Sequence, residues 1–156
     1  MYQWLVFLHV LGALGFMFGH GVAGAVTLLM AREKDPERVK SWLGLARNKV
    51  VLGIMYGSMI LLLVSGIWAG FTGEWWRSWW IWLSLALLVV IITVMGFIGR
   101  GYFDRVSAAL GIEPAGEPVG QEELEAVLAR SPAVLLTVLG LGGIAVIVYL
   151  MMFKPF

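Results

Sequence analysis

Four long apolar runs, at about Trp4–Met30, Val50–Gly70, Trp80–Ile98 and Ala133–Met152, constrain this chain more than anything else in it. Crossing ~30 Å of hydrocarbon takes about 20 helical residues. A backbone inside lipid must also satisfy its own hydrogen bonds, which a helix does within one segment. Each run is therefore read as a transmembrane helix. Composition agrees: 13% of residues are charged and the mean hydropathy is +0.89, against about 25% charged in soluble domains. The expected fold is all-α, an integral membrane four-helix bundle forming a single domain over residues 1–156, with connections at 31–49 and 99–132. The first run is not expected to be a signal peptide. It has no basic leader, is too long, and is not followed by a small-residue cleavage site.

The connections carry their own signals. In AREKDPERVKSWLGLARNK, Asp35 before Pro36 is a helix start, a side-chain cap followed by proline at the first helical position. Val39, Trp42, Leu43 and Ala46 share one face, so an amphipathic helix is expected to lie on the membrane and run into the second span. Trp75, Trp76, Trp79, Trp80 and Trp82 around the next turn form an interfacial aromatic belt. Between spans three and four, the stretch Pro114 to Pro118 is turn-like, and Leu124, Val127 and Leu128 give the following piece an apolar face.

Basic residues set the expected orientation. Arg32, Lys34, Arg38, Lys40, Arg47 and Lys49 precede span two, and Arg100, Arg105 and Arg130 precede span four; the other side has only Arg77 and Lys154. The positive-inside rule then puts both long connections in the cytoplasm and both termini outside. This describes a multi-pass protein of a bacterial cytoplasmic (inner) membrane. Its basic residues follow the bilayer, so lipid is the expected partner and nucleic acid is not.

The first span holds both histidines, His9 and His20. Their spacing is three turns plus ~20°, so both imidazoles lie on one stripe, ~16 Å apart along the axis. Gly12, Ala13, Phe16, Ala23, Gly24 and Thr27 share that stripe. Small and polar residues on one face turn it toward protein or a cofactor rather than lipid. One reading is that each histidine simply hydrogen-bonds a neighbouring helix. The other is ligation, since imidazole binds metals and haem iron. Gly12, Gly15, Gly19 and Gly24 would then leave room for a flat macrocycle. A second ligand would come from a methionine: Met55 and Met59 share a face of span two, and Met17 and Met95 also lie in spans. Histidine with thioether also suits copper(I). Arg47, at the mouth of span two, is placed to hold a haem propionate or lipid phosphate, or to act as a positive-inside anchor.

Other chemistries are disfavoured. The chain has no cysteine, which excludes thiolate metal sites, disulfides and covalent haem attachment. No span carries paired carboxylates, as a proton pump or cation antiporter would need. No phosphate loop, nucleophile elbow or zinc-protease motif occurs.

YQWLVFLHVLGALGFMFGHG, the basic loop, RNKVVLGIMYGSMILLLVSGIW and the closing VIVYLMMFKPF resemble an uncharacterised group of bacterial four-helix integral membrane proteins, near the copper-resistance protein D domain. The resemblance covers most of the chain and implies the fold, without an activity to carry over. The first two spans are more distantly similar to HemJ-type protoporphyrinogen oxidases, which bind haem b. That family has a histidine where His9 stands and a Gly-Ile-Met stretch matching Gly53-Ile54-Met55, whose methionine is a proposed haem ligand there. Its third span begins with a histidine and a lysine; WWIWLSLALL has neither. That departure puts porphyrinogen oxidation in doubt and leaves haem binding open as what the resemblance implies.

Three readings follow. The chain is a haem b electron-transfer or redox module with a redox partner, a copper-handling membrane protein, or an accessory subunit whose histidines only pack. In the first two, His9, His20, Met55 and Met59 are the metal-ligand candidates, with Gly12, Gly19 and Arg47 supporting a cofactor. A homodimer about a two-fold axis along the membrane normal is also expected.

Overall fold

The computed structural model describes residues 1–112 and 116–155, and all its regular elements are helical. They are α1 (Tyr2–Met30), α2 (Pro36–Ala46), α3 (Lys49–Thr72), a 3₁₀ turn (Trp75–Arg77), α4 (Trp79–Ala109), α5 (Gln121–Ala129) and α6 (Ala133–Phe153). The four apolar runs become α1, α3, α4 and α6, each long and apolar enough to cross a membrane. Of the expected turn, Pro114 and Ala115 lie outside the described residues, as does Phe156 of the closing motif.

Helix starts follow local chemistry. Asp35 caps α2, its carboxylate accepting from the Glu37 N–H at 3.0 Å, with Pro36 at the first helical position. Asn48 caps α3 by accepting from Val50 N–H at 2.8 Å and Val51 N–H at 3.4 Å. Two caps one residue apart from the end of one helix to the start of the next make a hinge at Arg47-Asn48. The expectation that α2 runs on into the second span is therefore corrected: the chain breaks there.

The expected position of α2 on the membrane is corrected too. Its apolar face, Val39, Leu43 and Ala46, is buried against protein. Val39 and Leu43 join Met30 of α1, Tyr102, Val106 and Ala109 of α4, and Leu124 and Leu128 of α5 in one core. This core needs α4 to continue past the expected end of span three at Ile98. It does so for eleven further residues, to Ala109, about 16 Å at 1.5 Å per residue. The 99–132 connection is thus largely structured, with Leu124 and Leu128 inward and Val127 half-buried as the pattern predicts.

Water explains where that core sits. Burying a leucine, valine or methionine out of water contributes roughly 1.5–3 kcal/mol, whereas lipid tails offer helices no such drive to associate. The basic end therefore collapses tightly: Met30, Val39, Tyr102 and Val106 have no measurable exposure. Within the spans, large apolar residues such as Leu14, Phe18, Ile60, Val64 and Phe97 stay exposed, as lipid-facing residues do.

Packing of the spans runs α3–α1–α6–α4, with α1·α3 the most extensive pair and α4·α6 next. Glycines set both contacts. A Cβ on Gly12 would lie 2.6 Å from Leu62 N and 2.9 Å from its Cα, so the α1 and α3 backbones touch there. Gly15 sits against the Ser58 hydroxyl and Gly19 against Met55, 2.8 Å from a built Cβ to the Met55 Cβ. On the other side, Gly143 receives Ile91 and Gly140 receives Met95. Hydroxyls inside the spans turn back on their own helices: Thr27 donates to Ala23 O at 2.7 Å, Ser84 to Trp80 O at 2.8 Å and Thr137 to Ala133 O at 2.8 Å. Each is thereby satisfied without water.

At the opposite end the tryptophans interlock. Trp75 stacks at a tilt on Trp80, Trp76 on Trp82, and the Trp82 indole donates to Trp76 O at 3.0 Å. Trp80 is only 3% exposed, so this member of the expected belt is core.

Candidate functional site

The stripe along α1 faces inward. His9, Gly12, Ala13, Phe16, His20, Ala23, Gly24 and Thr27 are all buried or half-buried, while Val10, Leu11, Leu14 and Phe18 between them are exposed. The two imidazoles nevertheless meet different helices.

His9 faces α3. Its Nδ1–H donates to Leu62 O at 2.8 Å, and its ring edge lies over Gly66, where a Cβ would come within 2.7 Å of Nδ1 and Cε1. Leu62 O also receives Ser65 Oγ at 3.3 Å. A carbonyl partner satisfies the imidazole inside lipid and fixes the proton on Nδ1. His9 thus helps lock α1 to α3 at the point where Gly12 brings their backbones together.

His20 faces α6 and α4. A Cβ on Gly140 would lie 2.7 Å from His20 Nε2 and 3.3 Å from the Met95 methyl carbon, so Met95 Cε is within about 6 Å of that nitrogen. The Phe16 ring, one turn earlier on α1, stacks on the imidazole at 5.8 Å and 14°. Among the described residues His20 has no hydrogen-bond partner. It lies about 15 Å from the Met30 end of α1. The His20 imidazole nitrogen and the Met95 methyl carbon thus both close on Gly140 of α6, with the Phe16 ring stacked on the imidazole.

The remaining sequence candidates separate from this point. The room expected for a macrocycle at Gly12 and Gly19 is taken up by α3. Met55 packs on Gly19 and Met59 is half-buried one turn further along α3. Arg47 forms an ion pair with Asp104 at 3.0 Å, joining the α2–α3 hinge to α4. His9 and His20 do not form one shared site.

Met95 is noted in the sequence as a methionine within a span but is not singled out as a ligand candidate. Met55 and Met59 draw attention by their i, i+4 pairing, whereas Met95 stands alone in α4. The usable signal was on α6: Gly140 and Gly143, one turn apart, mark the face on which Met95 and Ile91 seat. Among the described residues no group of three or more His, Asp or Glu side chains is placed to hold a metal ion.

A family model described as "Predicted integral membrane protein (DUF2269)" matches residues 3–155. No curated protein and no solved structure matches the chain.

Proposed function

The chain belongs to the DUF2269 family of predicted integral membrane proteins, and on that premise we propose that it handles copper in a bacterial cytoplasmic membrane, holding copper(I) between His20 and Met95. The observation that carries this reading is the unpartnered His20 imidazole beside the Met95 side chain. A polar group at that depth needs a partner from within the protein. Imidazole with thioether is a donor set that suits soft copper(I). The protein's part would be to orient the imidazole by stacking Phe16 on it and, through the missing side chain of Gly140, to let Nε2 reach α6 beside Met95.

Haem b fits the residues less well. Its flat ring needs a slot along the histidine stripe, and α3 is packed directly onto Gly12, Gly15 and Gly19 there. Arg47 pairs with Asp104 at the surface instead of facing that stripe.

Protein purified from copper-supplied cells should carry close to one copper per chain and show no Soret band. His20→Ala and Met95→Leu should each lower the copper content several-fold, while His9→Leu should retain it. A Soret band that His20→Ala abolishes would return the site to haem. Absence of both groups, with His20→Ala folding normally, would leave His20 a packing residue.

A further inference from the structure

At the tryptophan end of the bundle, away from His20, a lysine ammonium sits in an aromatic box. Lys154 Nζ lies 4.4 Å from the centroid of a Trp75 ring and 5.6 Å from that of Trp80. The two indoles stand 5.5 Å apart at 58°, and Tyr2 meets Trp75 edge-on at 5.6 Å. Among the described residues no carboxylate pairs with Lys154. The cation is held by ring faces, the chemistry that also recognises alkylammonium ligands.

Two features make this occupancy exchangeable. Lys154 has a left-handed backbone, φ 45°, which a side-chain-bearing residue adopts with strain. Its side chain is also exposed, whereas Trp80, the deeper wall, is buried. The box is therefore built into the fold, and the lysine reaches it from a flexible stem.

We propose that Trp75 and Trp80 form an alkylammonium site at the membrane surface, which Lys154 fills in cis and which an alkylammonium group from outside the chain displaces. The ligand chemistry is a primary or quaternary ammonium, carried by a phospholipid headgroup or by a soluble amine.

The test reads the reactivity of Lys154 with an amine-acylating reagent. Full-length protein is placed in nanodiscs, and peptide mass mapping normalises Lys154 to Lys34, Lys40 and Lys49. Three conditions are compared: phosphatidylglycerol alone, phosphatidylglycerol with phosphatidylcholine, and phosphatidylglycerol with tetramethylammonium chloride against sodium chloride at equal ionic strength. Lys154 should be protected in phosphatidylglycerol and become several-fold more reactive when ammonium is added. A rise with phosphatidylcholine alone assigns the ligand to a lipid headgroup; a rise with tetramethylammonium alone assigns it to a soluble amine. Trp75→Leu should show the high reactivity already in phosphatidylglycerol. The same normalised reactivity in all three conditions would overturn the proposal, and the wild-type comparison stands even if the variant misfolds.

Discussion

Gly12→Ala tests the α1–α3 lock most sharply. The added methyl would lie 2.6 Å from Leu62 N and 2.9 Å from its Cα. Both are backbone atoms, so no side-chain rotation relieves the clash. Carbon contacts settle near 3.5–4.0 Å, so the helices must separate locally by about 1 Å. Overpacking of this kind costs typically 1–3 kcal/mol. The same shift would stretch the His9 Nδ1–Leu62 O bond from 2.8 Å beyond bonding range, forfeiting roughly another 0.6–2 kcal/mol in a membrane setting. Alanine's better helix propensity returns about 1 kcal/mol, leaving a net loss of about 0.6–4 kcal/mol. Gly53→Ala and Gly57→Ala on α3 meet open space and should be neutral or mildly stabilising. Reversible unfolding from mixed micelles, followed by circular dichroism, measures all three. Equal stability of Gly12→Ala and wild type would refute the backbone-contact account of this helix pair.

The His9→Leu variant should be destabilised by about 1–2 kcal/mol through loss of the interhelical bond, read in the same unfolding assay, with copper content unchanged. Arg47→Ala and Asp104→Ala should each cost no more than about 1 kcal/mol, because both partners are substantially exposed; a double-mutant cycle that weakens with salt would identify the pair. The Tyr102 hydroxyl is buried with no well-formed hydrogen bond, and an unsatisfied buried hydroxyl carries a desolvation cost, so Tyr102→Phe should be no less stable than wild type in the same unfolding assay. Cysteines at Lys34 and Gln121, which the Gln121 side chain ties together at 2.7 Å, should react with impermeant thiol reagents only after cells are opened; labelling in intact cells would reverse the orientation.

The spans were legible because lipid imposes a length and an apolarity that no soluble element shares. The Asp35-Pro36 start and the inward faces of α2 and α5 were legible for equally local reasons. What those two faces pack against was not. An amphipathic helix looks the same whether its apolar side meets lipid or protein, and only the continuation of α4 to Ala109 supplies the protein surface. The inward turn of the histidine stripe followed from small residues sharing a helical face. Its division between α3 and α6 depended on how neighbouring helices cross, and a single-helix periodicity carries no such information. Glycine spacing showed the same ambiguity. Gly12 and Gly19 read equally as space for a ring or as close helix contact, and the second is what α3 makes of them. That Met95 meets His20 was not legible, because the meeting occurs at Gly140, 45 residues later in the chain.

X-ray absorption at the copper edge of the purified, reduced protein addresses the central proposal most directly. The account predicts a low-coordinate copper(I) spectrum with an imidazole nitrogen shell and a sulfur shell, the sulfur lost in Met95→Leu and the imidazole lost in His20→Ala. Copper bound without sulfur, or with a sulfur shell that survives Met95→Leu, would contradict it.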